Sequence, residues 1–312
     1  MADLLLSKGY EVFGLVRPGS TPRTQNISHL IDPEMRIRML YGDLCDSPSL
    51  HRAISVAEPD EVYNFGAQAH VKVSFDMPEY TAEATGVGAA RLLEAIRDTG
   101  LRCKYYQASS SELFGKVREI PQCETTPFHP RSPYACAKAF AYYTTVNHRE
   151  AYGLFAVNGI LMNHESERRS QHYVTRKITL SVARIDAGLQ KDLHLGNLDA
   201  RRDWGYAPEF VHGAWMMLQV DDPDDYVLAT EETHTVREWC DRAFARVGLD
   251  WQKYVVVDEK FMRPAEVDIL LGDATKARTR LGWRATTKFE ALVDLMVDAD
   301  VKTLRSTAPS RP

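Results

Sequence analysis

Through the first half of the chain, short apolar runs rich in β-formers alternate with longer stretches of helical periodicity. Ala2–Lys8 reads as a short helix closed by Gly9, a C-terminal helix signal. Tyr10–Val16 is predicted as a strand ending at Arg17, and Ile37–Tyr41 as a second ending at Asp43-Leu44. A helix over Ser47–Ala57 leads to a strand over Glu61–Phe65, which runs out into Gly66-Ala67-Gln68. A long helix over Tyr80–Thr99, closed by Gly100, precedes a fourth strand over Lys104–Ala108. A helix over Tyr134–Tyr152, closed by Gly153, precedes a fifth over Leu154–Leu161. Strands alternating with helices predict a parallel, doubly wound sheet whose ligand lies at the carboxyl ends of the strands, where Arg17, Asp43, Gly66 and Ser110 all fall.

Past Leu161 the pattern changes. Asn163–Arg169 reads as a polar loop, followed by a helix over Thr175–Ala187 and a short strand over Asp192–Gly196. Arg201-Arg202-Asp203-Trp204 reads as a charged turn, Ala207–Gln219 as a helix and Tyr226–Thr230 as a strand. A helix over Val236–Val247, a strand over Tyr254–Val257 and a helix over Lys288–Thr303 complete the expectation. The division is a Rossmann-like domain over 1–163, with a return of 204–230, and a smaller α/β substrate-binding domain over 164–312.

The sheet expected here has an unusual start. A dinucleotide fold opens with a strand, a Gly-rich phosphate turn and a helix. This sequence begins inside what should be that first helix, so its strands count from the second onward and the central one is expected to be missing. Its neighbours would then carry unpaired backbone groups, each costing about 1–3 kcal/mol if buried. Whether Met1 is the true start stays open.

Composition adds bounds. With 312 residues the chain can bury a full core, as one large or two intimate domains. Its net charge of −5 argues against general nucleic-acid or membrane binding, so an anionic ligand must be met by local arginines. Five dispersed cysteines without C-x-x-C spacing read as reduced thiols of a cytoplasmic protein, neither disulfides nor a metal site. No stretch reaches membrane-span length.

The candidate chemistry lies at the end of the fourth strand. Ser109-Ser110-Ser111-Glu112 ends it, and Tyr134-Ala135-Cys136-Ala137-Lys138 opens the next helix. Tyr134 and Lys138, one turn apart, share a helix face. A neighbouring ammonium lowers a phenol pKa from about 10, and reaching 7 takes roughly 4 kcal/mol of charge stabilisation. The pair reads as a base with a helper beside a second acid/base, Glu112. A bare Y-x-x-x-K is common, and Ser109-x-x-Glu112 also fits a helix capping box. Arg17 suits the 2′-phosphate of NADP, or is a solvated surface residue. Arg168, Arg169, Arg176, Lys177, Arg201, Arg202 and Arg263 concentrate positive charge suited to a diphosphate, or form surface ion pairs.

The motifs together are more discriminating: G-Y-E-V at Gly9, Y-G-D-L at Tyr41, Q-A-S-S-S-E at Gln107, P-F-H-P-R-S-P-Y at Pro127 and F-A-V-N-G-I-L at Phe155. N-H-E-S at Asn163, V-T-R-K-I at Val174, G-N-L-D-A-R-R-D-W-G at Gly196 and R-P-A-E-V-D at Arg263 complete the set. From about Ala2 to Asp300 the sequence resembles the GDP-mannose 4,6-dehydratases of the extended short-chain dehydrogenase/reductase superfamily. The resemblance implies a cytoplasmic lyase of nucleotide-sugar and deoxysugar metabolism, a homo-oligomer (dimer or tetramer) using NADP on GDP-mannose. It implies that Tyr134, with Lys138, takes the proton of the 4-hydroxyl while hydride passes from C4 to NADP. Glu112 would then remove the C5 proton, Ser110 would help expel the C6 hydroxyl as water, and hydride would return to C6. It assigns Arg17, Asp43, Leu44, Gly66, Ala67, Gln68, Tyr80, Tyr134, Lys138, His164 and Arg169 to NADP, and Asn158, Lys177, Arg202, Arg263 and Glu266 to GDP-mannose.

Departures from the pattern are the missing Gly-rich turn, Pro18-Gly19 after Arg17 where an Arg and a Ser are usual, and Glu167 and Ser170 beside Arg169 where Pro and Gly are usual. Competing readings are an NADP-dependent nucleotide-sugar epimerase or reductase, which needs no C5 base, and a truncated, non-catalytic homologue.

Overall fold

A computed structural model describes residues 1–19, 25–31, 37–262 and 265–307. Helix α1 (Ala2–Ser7) leads to β1 (Val12–Val16), and α2 (Ser28–Ile31) to β2 (Ile37–Tyr41). The chain continues through α3 (Ser47–Ala57), β3 (Glu61–Asn64), α4 (Val71–Asp76), α5 (Pro78–Thr81) and α6 (Gly88–Thr99). Then follow β4 (Lys104–Ala108), α7 (Pro133–Tyr152), β5 (Ala156–Leu161) and β6 (Asn163–Glu165). The second half carries α8 (Val174–Asp186), β7 (Leu193–Leu195), β8 (Arg201–Arg202), β9 (Trp204–Tyr206) and α9 (Ala207–Met217). After these come β10 (Tyr226–Leu228), β11 (His234–Thr235), α10 (Val236–Ala245), β12 (Val255–Val257), α11 (Thr275–Leu281) and α12 (Phe289–Thr307).

The expected parallel α/β sheet is present and is split. β1 pairs with β2 from Val12↔Ile37 to Val16↔Tyr41, and separately β10, β5, β4 and β3 form a parallel sheet in that order. No backbone ladder joins β1 to β3 among the described residues. Side chains stitch the two plates at their amino-terminal ends instead. Glu61, the first residue of β3, accepts from Tyr10 Oη (3.3 Å), Tyr63 Oη (2.6 Å) and Gln219 Nε2 (2.9 Å), and Trp215 Nε1 donates to Tyr10 Oη (3.0 Å).

Two apolar layers cover the larger plate. Leu50, Ile54, Leu93 and Ile96 of α3 and α6 bury one face against Tyr105, and Phe210, Ala214 and Met217 of α9 pack with Tyr106, Ile160 and Val227 on the other. β5 is buried along its whole length, as a central parallel strand must be. The helix expected over Tyr80–Thr99 is interrupted: a π-helical turn, Ala82–Val87, separates α5 from α6. That turn brings Gly86 against α7, where a Cβ would lie 3.2 Å from the Ala137 carbonyl, and aims Thr85 Oγ1 at the amide of Gln68 (3.0 Å).

Beyond Leu161 the structure corrects two expectations. The stretch read as a polar loop contains β6, paired in parallel with β9, and the charged turn is two strands, β8 and β9. Asp203 between them is fully buried and accepts from the amides of Thr230 and Glu231 and the Thr230 hydroxyl, which local charge alone does not reveal. A separate core of Ile178, Val182, Trp239, Phe244, Leu292 and Met296 joins α8, α10 and α12.

Candidate active site

β4 ends at Ala108, and the chain turns at once into a 3-10 turn, Ser111–Leu113. Ser110 caps that turn, its Oγ accepting from the Glu112 amide (3.2 Å). The capping box expected from Ser109 does not form; Ser109 Oγ donates to Asn158 Oδ1 (3.2 Å). Across from it, Ser132 caps α7 by accepting from the Ala135 amide (3.1 Å), with Pro133 at the first helical position. This start sets Tyr134 and Lys138 on the buried face of α7. Tyr134 hydrogen-bonds the Ser110 side chain and feels the charge of Glu112, so Ser110, Glu112, Tyr134 and Lys138 meet at one strand end.

Their electrostatics differ from the expected base and helper. Burial raises the Tyr134 phenol well above its ordinary value; Glu112 raises it further, while the Ser110 hydrogen bond and Arg169 lower it. Lys138 lies one helical turn from it on α7. Its Nζ lies 5.9 Å from the Tyr134 ring centroid and donates to the Ala108 carbonyl (2.6 Å). Burial pushes the ammonium itself down to about 8.

The segment 163–173 forms a wall beside the phenol. His164 Nδ1 lies 2.9 Å from the Met162 carbonyl, and its ring stacks on Phe210 with centroids 5.2 Å apart. A carbonyl only accepts, so Nδ1 carries the proton. Burial pushes the imidazole down to about 4, which leaves Nε2 bare at neutral pH. The Arg169 guanidinium lies 3.6 Å from the Tyr173 ring centroid, with Nε 3.1 Å from Glu165 Oε2. Glu165 is buried, raised by burial, and accepts from Thr175 Oγ1 (2.7 Å). Asn163 Oδ1, Glu167 Oε2 and Arg169 Nε are buried without a well-aligned hydrogen-bond partner, which marks this wall for a polar ligand. Asn163 and Tyr173 were not among the expected site residues; the N-H-E-S motif that singled out His164 was the available signal for Asn163.

At the carboxyl ends of β1 and β3, Arg17 donates to the Tyr80 hydroxyl, bringing two expected cofactor residues together. Asp43 Oδ1 accepts from the Cys45 amide (2.9 Å), shaping the turn after β2. Leu44 packs so tightly that a Cβ on Gly66 would lie 2.6 Å from it and one on Gly88 2.7 Å. Ala67 follows Gly66, and Gln68 Oε1 accepts from Thr81 Oγ1 (3.1 Å).

The expected sugar-nucleotide residues divide. Asn158 is fully buried within β5; its amide nitrogens, backbone and side chain, each donate to Asp225 Oδ1 at 3.0 Å, and Asp225 is held by Arg149. It therefore organises the sheet and presents no free surface. Arg202 is 6 % exposed, donates to the Val267 carbonyl (2.7 Å) and pairs with Glu266 at 3.2 Å, so these two do meet. Lys177 donates to the His194 carbonyl. Arg263 lies outside the described residues. Arg176 is structural: it pairs with the buried Asp300 (2.6 Å) and donates to the Glu167 carbonyl.

Comparison with known proteins agrees with this geometry. The sequence model of the family described as GDP-mannose 4,6 dehydratase matches residues 1–296. GDP-mannose 4,6 dehydratase 2 of Arabidopsis thaliana is 55% identical over 311 residues, covering 97% of this chain and 83% of the relative. GDP-mannose 4,6 dehydratase of Homo sapiens is 51% identical over 330 residues, covering 98% and 89%. Among solved structures, a UDP-glucose 4-epimerase of Thermus thermophilus in complex with NAD superposes with a TM-score of 0.82 at 28% identity, over 98% of this chain and 94% of that one. By sequence, fold and the grouping of hydroxyl, carboxylate, phenol and ammonium at the end of β4, the chain belongs to the GDP-mannose 4,6-dehydratase family.

Proposed function

We propose that this chain converts GDP-mannose to GDP-4-keto-6-deoxy-mannose, with NADP as an internal hydride carrier. The observation that carries this reading is Glu112 beside the Ser110–Tyr134 pair: an oxidoreductase needs the phenol, but loss of water also needs a second base.

The residues present fit the cofactor. Arg17 and Tyr80 offer polar groups at the end of β1, Gly66 packs closely against Leu44, and Asn163 Oδ1, buried without a hydrogen-bond partner, belongs to the wall beside Tyr134. When bound, NADP supplies the acceptor for hydride from C4 and its donor to C6. The chain supplies the proton chemistry. Tyr134, held by Ser110 and with the Lys138 ammonium one turn away to favour its phenolate, would take the proton of the 4-hydroxyl as C4 becomes a ketone. The ketone acidifies C5, and Glu112 removes that proton and delivers it to the C6 hydroxyl, hydrogen-bonded by Ser110, which leaves as water. Lys138, anchored on the Ala108 carbonyl, would help hold the phenol's pKa down. Arg202 and Glu266 take the nucleotide end of the substrate, together with Arg263. Residues 1–163 with the return of 204–230 form the cofactor half, and 164–312 the substrate half.

Exposed Phe140 and Tyr143 on α7 support a homo-oligomer assembled across that helix. No helix among the described residues is long and apolar enough to cross a membrane, and we assign the protein to the cytoplasm.

Incubation with GDP-mannose deuterated at C4 and with NADP tests the reading: the product should lack one water and carry the deuterium at C6. Glu112→Gln should lower the rate by about 10²–10⁴-fold. Full dehydration by that variant would rule out the mechanism. That no ladder joins β1 to β3 among the described residues favours a second reading, a non-catalytic homologue that cannot hold NADP and at most binds the nucleotide sugar. Titration with NADPH separates the two, since micromolar binding excludes the non-catalytic homologue.

A further inference from the structure

We propose that the π-helical turn Ala82–Val87 is a gauge that holds the catalytic pair on α7 at a fixed place beside the strand ends that take the cofactor, with Thr85 and Gly86 as its positioning residues. The proposal rests on the dehydratase reading above and adds two residues that this reading does not use.

A π-helical turn closes i→i+5 bonds, so it carries one residue more than an α-turn and shifts every side chain beyond it; such turns gather at functional sites. Here the neighbours are three strand ends and a helix. Just before the turn, on α5, Tyr80 receives Arg17 from the end of β1, and Thr81 Oγ1 donates to Gln68 Oε1 (3.1 Å). Within it, Thr85 Oγ1 accepts from the amide of Gln68 (3.0 Å), which follows Gly66-Ala67 at the end of β3. Just after it, Gly88 sits so close to the turn following β2 that a Cβ would lie 2.7 Å from Leu44 Cβ. Arg91 closes this side: its guanidinium donates to the Leu44 carbonyl (3.3 Å) and pairs with Glu83 of the π-helical turn (2.7 Å). Among the described residues no ladder joins β1 to β3, so the segment from Tyr80 to Arg91 is a contact shared by the carboxyl ends of both plates.

Gly86 addresses the catalytic side. A Cβ there would lie 3.2 Å from the Ala137 carbonyl, 3.6 Å from Ala137 Cα and 3.4 Å from the Phe140 ring. Ala137 lies between Tyr134 and Lys138 on α7, so the backbone that carries the phenol and the ammonium rests directly on the turn. Thr85 is 1% exposed and Gly86 is buried, which leaves neither contact free to slide. Adjacent residues of a helix point roughly a quarter turn apart around its axis. One rigid turn therefore presents Thr85 to the cofactor side and Gly86 to the catalytic side, and the two contacts can be disturbed one at a time.

Thr85→Val keeps the shape and removes the acceptor of the Gln68 amide, whereas Thr85→Ser keeps the acceptor. Gly86→Val presses on the Ala137 carbonyl, and Gly86→Ala asks it to give by a few tenths of an ångström. The full chain and these variants are compared by calorimetric titration with NADPH, by dehydration of GDP-mannose at saturating NADP, and by native-state hydrogen exchange. Thr85→Val should bind NADPH about tenfold or more weakly with kcat within about threefold of the parent, and Thr85→Ser should restore the affinity. Gly86→Val should keep NADPH affinity within about threefold and lower kcat about tenfold or more, with Gly86→Ala moving kcat the same way and less. In the free chain, Thr85→Val should speed exchange of the Gln68 amide about tenfold or more and spare the α7 amides around Ala137; the Gly86 variants should do the reverse. Parallel losses of affinity and kcat in both sets of variants, or an exchange change that does not separate Gln68 from α7, overturn the proposal. Its failure and that of the dehydratase reading are distinguishable. The exchange split in a chain that does not turn over GDP-mannose keeps the gauge and sinks the reading, and dehydration by the parent without any such split does the opposite.

Discussion

A single proton on His164 shows how far a side chain here is defined by its surroundings. The N-H-E-S motif points to the residue, but only the Met162 carbonyl 2.9 Å from Nδ1 and the Phe210 ring beside it set the tautomer and suppress protonation. The sign of the consequence follows from linkage. The folded pKa, about 4, lies below the ordinary 6.5, so between those values the unfolded chain binds a proton that the native one refuses. Stability from this group is fully present above pH 6.5 and is lost as pH falls toward 4. At 1.36 kcal/mol per unit the loss reaches at most about 3 kcal/mol. Urea titrations across pH 4 to 7 should show a shallower acid limb for His164→Asn than for the parent; an identical limb would show that the imidazole is as basic in the fold as in water. Tyr134 and Lys138 teach the same lesson in reverse. Spacing put them on one helix face, yet the depth of their burial and the claim of Ala108 on the ammonium depend on residues distant in sequence, Ala108 lying 30 positions from Lys138.

At the scale of elements, what was legible was periodicity. The strands ending at Val16, Tyr41, Asn64, Ala108 and Leu161 and the helices closed by Gly100 and Gly153 follow local rules of apolar alternation and left-handed caps, so their positions could be read within a residue or two. The short helices α4 and α11 lack a long enough repeat, and β8 and β9 are strands only because β11 and β6 pair with them. Asn158 and Arg202 stand out in the sequence as GDP-mannose residues only through the family motifs, and their contacts with Asp225 and Glu266, distant along the chain, emerge only in the fold. Arg176 is the sharper case. It ties α8 to Asp300 of α12, 1% exposed, and holds the carbonyl of Glu167 in the wall beside the phenol. Arg176→Met should cost about 3–5 kcal/mol in urea unfolding by stranding Asp300, and Asp300→Asn in the same chain should recover a good part of it. Additive losses in the double variant would show that the two side chains are not coupled.

In the first half of the chain the parallel sheet is divided into two plates, β1–β2 and β3–β4–β5–β10. Amides of β4 and β5 lie in a continuous ladder, while among the described residues β1 is paired on one side only, by β2, and β3 on one side only, by β4. Native-state hydrogen exchange should therefore protect the former at least about 10³-fold more than the latter, and equal protection would mean that the plates are joined in solution. The position of the stitching has a mechanical meaning. Glu61, Tyr10, Gln219 and Trp215 bind the plates at the foot of the strands, and at the far end Arg17 reaches across to Tyr80. The molecule is thus a book bound along its lower edge. A strand of five residues is a lever of roughly 16 Å, so a tilt of about 10° at the binding moves the upper edge by ~3 Å while the foot barely shifts. Whatever spans that upper edge works at the long end of the lever, where the least force sets the angle between the pages.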